Sequence, residues 1–272
     1  MVVQHNLTAM NSNRMLSITT STQAKSTEKL SSGYRVNRAA DDAAGLAISE
    51  KMRRQIKGLT QASSNAQDGI SCVQTAEGAL AEVHDMLQRM NTLAVQASND
   101  TMTTADRSYL NQEVQALKSE INRVASTTTF NERNLLDGTF QDKNLQVGAE
   151  AGQFISISIA GMSAGSIGIG SVSVSGSTNA NAQTAISSIK TALASVSSQR
   201  ADLGAIQNRL EHTIKNLDNV VENTTAAESQ IRDTDMAKEM VTFSNNNILA
   251  QAGTSMLAQA NQSNQNVLSL LG

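Results

Sequence analysis

The sequence predicts a mainly α-helical fold, a long antiparallel helical rod or coiled-coil bundle with a small β element. The 272-residue chain has no Pro and no Trp, and it has only 4 Phe and 2 Tyr. The buried area must therefore come from aliphatic residues and Ala, which suits long helices packed side by side. Apolar residues also recur at steps of three and four over long stretches, and one short segment alternates between apolar and polar residues.

The longest helix is predicted from Leu46 to Ser98. Its apolar stripe changes phase near Leu80, which would alter coiled-coil winding locally. At 1.5 Å per residue, this helix would be roughly 80 Å long. We interpret the preceding Asp41 and Asp42 as N-capping residues rather than as catalytic carboxylates. The stripe is formed by Met52, Ile56, Leu59, Ala66, Ile70, Val73, Leu80, Val83, Leu87, Met90, Ala94 and Ala97.

A second helix is predicted after the polar break Asn99–Thr104, with Thr103 or Thr104 as its N-cap. Because the break is short, the two helices should be antiparallel neighbours. The apolar stripe of the second helix consists of Leu110, Val114, Leu117, Ile121 and Val124.

The period then changes, and Phe154–Ile159 reads FISISI, the pattern of a half-buried strand. We expect an antiparallel β element over about 140–175, followed by a polar linker. Helical spacing resumes at about Ala182 and continues to about Val221, with an extension as far as Met240 left open. The strand pattern is expected to continue through Ile167, Ile169, Val172 and Val174.

Both chain ends are rich in Asn, Gln, Ser, Thr and Ala and carry a thin apolar stripe. Such a stripe with little charge makes a poor free-standing helix. We therefore expect the ends to be disordered in the monomer and to fold against neighbouring subunits, which indicates self-assembly. The two ends could also pair into one discontinuous terminal-helix domain. The residues assigned to polymerisation are Val3, Leu7, Met10, Leu249, Met256, Val267, Leu268 and Leu271.

Composition and motifs give no indication of an enzyme. The net charge of −3 does not favour a nucleic-acid partner, and no apolar run is long enough for membrane insertion. The single cysteine, Cys72, is interpreted as a small packed residue. No HExxH or phosphate-binding glycine motif occurs, so no metal or cofactor is expected. The first ten residues lack the features of a secretory signal, which taken alone would favour the cytoplasm.

Several segments resemble the signatures of bacterial flagellins. Leu30–Leu46 reads LSSGYRVNRAADDAAGL and is similar to the N-terminal signature of that family. Met256–Leu271, with the sequence MLAQANQSNQNVLSLL, is similar to the C-terminal one. Further matches in the family's order are GISCVQTAEGAL at Gly69–Leu80, FNERNLLDG at Phe130–Gly138, SSQRADLGAIQNRL at Ser197–Leu210 and AAESQIRDTDMAKEM at Ala226–Met240.

The resemblance implies a structural subunit that polymerises into the flagellar filament for motility. It implies an inner-tube domain of residues 1–40 and 235–272, and a helical rod domain of residues 41–234. A β-hairpin at about 140–175 would replace the family's outer domains. It further implies export through the flagellar type III apparatus to the cell exterior. The implied partners are other copies, the flagellar cap, the hook-associated junction proteins and an export chaperone at the C-terminal segment.

A third implication concerns Toll-like receptor 5, an innate immune receptor. Gln88–Gln96 and Glu113 resemble the family's receptor-binding stretch, which carries Gln88, Arg89, Leu93 and Glu113 onto this sequence. Arg89 and Leu93 are four residues apart and would offer a planar hydrogen-bonding fork and an apolar anchor. The same face could instead be a seam between subunits. An enzyme with a peptidase inserted in its middle is disfavoured by the short middle region.

Overall fold

The computed structural model describes residues 6–271, except for the side chains of 264–271. The fold is mainly α-helical with small antiparallel strand pairs, which confirms the predicted fold class. The described helices are α1 Leu7–Ser32, α2 Ala43–Ala97, α3 Thr104–Thr127, α4 Ala180–Arg232 and α5 Met236–Leu271. The described strands are β1 Thr129–Phe130, β2 Arg133–Asn134, β3 Lys143–Gln146 and β4 Phe154–Ile157.

The chain forms two compact units. The terminal unit contains the described parts of Met1–Arg54 and Glu222–Gly272, and the middle unit contains Gln55–Val221. The terminal unit is thus discontinuous in sequence and includes both α1 and α5. Its bounds extend further along the chain than the 1–40 and 235–272 expected from the resemblance.

The core of the middle unit is built largely from the predicted apolar stripes of α2 and α3, joined by residues of α4. On α2, every stripe residue from Val73 onward is buried, including Leu80, where the phase changes. Val114 and Ile121 of α3 and Leu203 of α4 lie in the same buried cluster. The three-and-four spacing places these side chains on one face of each helix, so the stripes meet in a shared core.

The predicted caps are confirmed for Asp42 and Thr103 but not for Asp41. The Asp42 carboxylate accepts the Gly45 backbone N–H at 2.8 Å and caps α2. Asp41 instead accepts the backbone N–H groups of Arg38 and Asn37. The bond from the Arg38 amide is the main cause of the lowered pKa of Asp41. Thr103 is the N-cap of α3 and forms a reciprocal capping box with Asp106.

The predicted strand at FISISI is present as β4, which pairs with β3 in an antiparallel hairpin. Burial alternates along β4, with Ile155 and Ile157 buried and Phe154 exposed, as the period of two requires. The hairpin approaches α2 closely at Gly58, where an added Cβ would lie 2.9 Å from the Ala149 Cβ.

The predicted continuation of strands to Val174 was wrong. The apolar residues there are buried, but their segment forms turns instead of a ladder. Side chains in a row along α3 take the backbone hydrogen bonds that a neighbouring strand would otherwise take. From α3, Asn122 accepts from the Ala164 N–H, Lys118 donates to the Gly170 carbonyl, Gln115 donates to the Val172 carbonyl, and Asn111 accepts from the Val174 N–H.

The extension of α4 beyond Val221, which the sequence left open as far as Met240, stops short of that residue. The helix ends at Arg232, and α5 starts at Met236 after a three-residue break. Asp235 caps the new helix, because its carboxylate accepts the Lys238 N–H at 3.1 Å. One helix therefore ends and the next begins here without a Pro or Gly in the break.

Candidate functional surfaces

Helices α1 and α5 pack as an antiparallel pair in the terminal unit. Near the start of α1, the Asn6 side-chain amide donates to the Ala260 carbonyl at 3.0 Å. Near its end, Lys29 lies 3.9 Å from the Glu239 carboxylate. Between these points the helices meet closely at Gly253, where an added Cβ would lie 3.3 Å from Leu16 Cδ1.

This helix pair leaves most of its apolar side chains in solvent. Of the side chains described in α1 and α5, only those of Ser26 and Ala260 belong to buried residues. Large apolar residues on both helices are about half exposed or more, an unusual density for a free surface. They are Leu7, Met10, Met15 and Ile18 on α1 and Met236, Met240, Val241, Ile248, Leu249 and Met256 on α5.

The predicted polymerisation residues divide into two groups. Leu7, Met10, Leu249 and Met256 are all more than half exposed and belong to this apolar surface. The side chains of the other four, Val3, Val267, Leu268 and Leu271, lie outside the described residues.

A second surface lies on α2 and α3 of the middle unit. The Arg89 Nε atom donates to the Glu113 carboxylate at 2.8 Å, so the fold brings these two predicted residues together. Their side chains remain 55% and 43% exposed. The hydrogen bond to Glu113 raises the pKa of Arg89 above its ordinary value. Gln88 is exposed beside them, and its amide contacts the His84 ring at 2.8 Å.

The placement of Leu93 on this surface was wrong. Leu93 is 1% exposed and belongs to the apolar core of the middle unit. Four helical residues advance by about 400°, so Leu93 is turned about 40° from Arg89. The border between buried and exposed faces of α2 runs between them.

Tyr109 is the aromatic residue on this surface that sequence reasoning missed. It is 68% exposed and precedes Glu113 by four residues on α3. Residues four apart share a helix face, so this spacing was the available signal. Tyr and Arg are the residue types enriched at binding hot spots, and Tyr109 supplies the exposed apolar group that Leu93 does not.

The described residues contain no cluster of three or more His, Cys, Asp or Glu that could hold a metal ion. Cys72 is buried, and desolvation raises the pKa of its thiol. No described helix combines the length and the apolar character that a membrane span requires.

Comparison with known protein families identifies the chain's relatives. Residues 3–141 match the model of the bacterial flagellin N-terminal helical region, and residues 186–271 match that of the C-terminal helical region. The chain belongs to the bacterial flagellin family. Flagellins are structural proteins of the flagellar filament, which places the chain in the flagellum.

Individual flagellins match over the full chain. The chain is 56% identical to a flagellin of Halalkalibacterium halodurans over 271 residues, covering 100% of both. It is 51% identical to a Bacillus subtilis flagellin over 303 aligned positions, again covering 100% of both. Among solved structures, a Bacillus cereus flagellin superposes with a TM-score of 0.50 and 30% identity, covering 57% of this chain and 88% of that one.

Proposed function

We propose that the chain polymerises into the flagellar filament through the exposed apolar faces of α1 and α5. The observation that supports this is the helix pair's large exposed apolar surface, with almost nothing buried between its own two helices. Covering one Leu or Met side chain contributes about 1.5–3 kcal/mol, and a filament repeats that contribution in every subunit. A second copy of the same helix pair provides a matching apolar partner.

The experiment places a charge in this surface. Leu249 and Met256 are seven residues apart and share a face of α5, whereas Gln251 points about 160° away from Leu249. Leu249→Asp and Met256→Asp should each abolish sedimentable filaments, because a buried unpaired carboxylate is costly. Gln251→Asp adds the same charge on the opposite face and should still polymerise. Normal filaments from both apolar variants would reject the proposal.

The same reasoning extends to the last residues of α5. Leu268 and Leu271 are three apart in the sequence, and we expect Leu268→Asp or Leu271→Asp to give a secretable subunit that fails to polymerise. In this proposal the terminal unit is the inner-tube domain. The subunit is exported by the type III apparatus with a chaperone on its C-terminal segment. It then joins a filament bounded by the cap and the hook-associated junction proteins.

A second candidate function is recognition of the monomer by Toll-like receptor 5. It is supported by the exposed Arg89–Glu113 pair and by the exposed Tyr109 four residues before Glu113 on α3, which together offer a planar charged group and an aromatic anchor. If subunits in the filament cover this face, monomer and not intact filament should bind the receptor.

Binding of the monomer to the receptor ectodomain tests this role. Arg89→Ala and Tyr109→Ala should each weaken binding at least tenfold, since hot-spot truncations cost about 2 kcal/mol or more. Arg123→Ala is the matched control, because Arg123 forms a similarly exposed pair with Glu120 on α3. Unchanged affinity in Arg89→Ala and Glu113→Ala alike would leave this surface only a role in assembly.

A further inference from the structure

Two breaks in the helical chain are joined side by side in the terminal unit. Helix α1 ends at Ser32, and Gly33 caps it with a φ of 76°. The next residues pair with the break between α4 and α5: the Arg35 N–H donates to the Arg232 carbonyl at 2.7 Å. The Thr234 N–H donates to the Gly33 carbonyl at 3.0 Å. The end of α1 and the start of α5 are therefore tied together by backbone hydrogen bonds.

The side chain of Arg232 adds two further interactions at this junction. The Arg232 guanidinium stacks over the Tyr34 ring, 4.5 Å from its centroid. Its Nη1 atom also lies 3.1 Å from the Glu50 carboxylate on α2. The Arg232 side chain is only 14% exposed, so its stack on Tyr34 is partly shielded from water, whereas the Glu50 side chain is 56% exposed. Tyr34, Glu50 and Arg232 are called the junction cluster below.

The α1–α5 seam itself specifies its register weakly. Its buried residues are the small Ser26 and Ala260, and much of the surrounding sequence is Ser, Thr, Asn, Gln and Ala. Sliding one helix by a turn, about 5.4 Å, would exchange most of these small contacts for similar ones and would move Leu16 away from Gly253. No large side chain described in α1 or α5 is fully buried, so the interlocking that normally penalises such a slip is weak.

We propose that the junction cluster sets the register of the terminal helix pair. A helix rises by a fixed 1.5 Å per residue, so fixing its axial position at one end fixes it along the whole length. Leu16 lies seventeen residues before Gly33, a distance of about 25 Å along α1. Arg232 acts at that distance because it holds the end of α1 beside the start of α5. It is therefore a positioning residue for the exposed apolar surface of these two helices.

Disulfide trapping in the full-length chain tests the register directly. In a Cys72→Ser background, which removes the only native thiol, Leu16→Cys is combined with Gly253→Cys or with Leu257→Cys. The first pair is in register, and the second is one turn out of register. Each double variant is oxidised as a dilute monomer, and the intramolecular disulfide is quantified by mass spectrometry. Trapping records each contact as it forms, so it works on helices that form only transiently.

With the junction cluster intact, the in-register disulfide should form at least fivefold faster than the offset one. Arg232→Ala should lower this ratio towards one, although the backbone hydrogen bonds between the breaks remain, and Tyr34→Ala should lower it separately. Arg232→Lys keeps the charge but loses the planar stack on Tyr34, so an intermediate ratio is expected. Arg38→Ala is the matched control, because Arg38 forms an exposed pair with Glu28 outside the cluster. It should leave the ratio unchanged.

A ratio in Arg232→Ala and Tyr34→Ala equal to that of the parent would overturn the proposal. A parent with no preference between the two disulfides would overturn it as well. Both measurements are made on the monomer, so they do not depend on whether the apolar faces of α1 and α5 contact other subunits in the filament. Loss of polymerisation in Leu249→Asp with a preserved disulfide preference would separate assembly from register.

Discussion

Glu132 shows strain confined to a single residue. It forms, with Asn131, the two-residue connection between β1 and β2, and their φ angles are 63° and 47°. Positive φ at both central residues is the pattern of a type I′ turn, which favours Asn followed by Gly. Asn131 fits this preference, but Glu132 carries a Cβ in a left-handed conformation that costs about 1–2 kcal/mol.

Glu132→Gly should therefore stabilise the chain, which is uncommon for a loss of side chain. We expect the free energy of unfolding to rise by about 0.5–1 kcal/mol, because relief of strain exceeds the added entropy of the unfolded glycine. Urea unfolding followed by far-UV circular dichroism measures it. Gln141→Gly, at an exposed loop position without positive φ, is the control and should lower stability. A lower stability in Glu132→Gly would contradict this account of the turn.

Arg107 illustrates what residue patterns alone could not predict. It is almost fully buried on α3, and its guanidinium donates to the carbonyls of Ala97, Asn99 and Gly176. From sequence alone, an Arg near the start of a helix is expected to lie on the surface in contact with water. Its hydrogen-bond partners are backbone carbonyls at the end of α2 and in two loops, which side-chain spacing does not reveal, and the Asp100 carboxylate lies 3.6 Å away. Leu93 was misplaced for a related reason, because spacing gives a face but not the position of its border.

At the scale of elements, helix glycines show where the β3–β4 hairpin meets α2. Replacing an exposed helix Gly by Ala normally stabilises by about 1 kcal/mol. Gly78→Ala should show this gain, since no atom lies within 4 Å of its added Cβ. Gly58→Ala should lose it, because the Cβ would lie 2.9 Å from the Ala149 Cβ and 3.3 Å from its Cα.

Both substitutions lie on α2, but the hairpin residue Ala149 faces Gly58 and no atom lies near the added Cβ at Gly78. The difference between their free energies of unfolding therefore measures the cost of the hairpin contact. Overpacking costs typically 1–3 kcal/mol, and we expect Gly58→Ala to be less stable than Gly78→Ala by at least about 1 kcal/mol. Thermal unfolding of both variants in parallel measures the difference. Equal stabilisation in the two variants would show that the hairpin moves away from the added methyl group without loss of stability.

The elements that sequence predicted well are those whose signals are local. Asp42 and Thr103 mark helix starts through their own capping bonds, and the stripes of α2 and α3 depend on spacing along one helix. The segment from Ala164 to Val174 was mispredicted because its alternation of apolar and polar residues predicts which side chains are buried. It does not predict which groups form hydrogen bonds with the backbone of the segment. Those groups are a row of α3 side chains about fifty residues away in sequence.

For the whole molecule, the terminal helices should be far less stable than the middle unit. Their apolar faces are exposed in the single chain, so little burial offsets the entropy of ordering them. Hydrogen exchange of the monomer should show weak protection in Ile248–Leu271 and strong protection in Val73–Leu93 of α2. After polymerisation, both segments should be protected. Strong protection of Ile248–Leu271 in the monomer would contradict this prediction.

The antiparallel pairing of α1 with α5 also sets the order in which the chain can fold. Asn6 and its partner Ala260 are 254 positions apart, among the longest sequence separations that this chain allows. The entropy of closing so long a loop must be overcome before any contact between the two helices contributes to stability. Within the terminal unit, backbone hydrogen bonds already join the two breaks, which shortens the loop that the helix pair itself must close. Helix α1, which precedes the other described helices in the chain, is therefore expected to be among the last to find its partner.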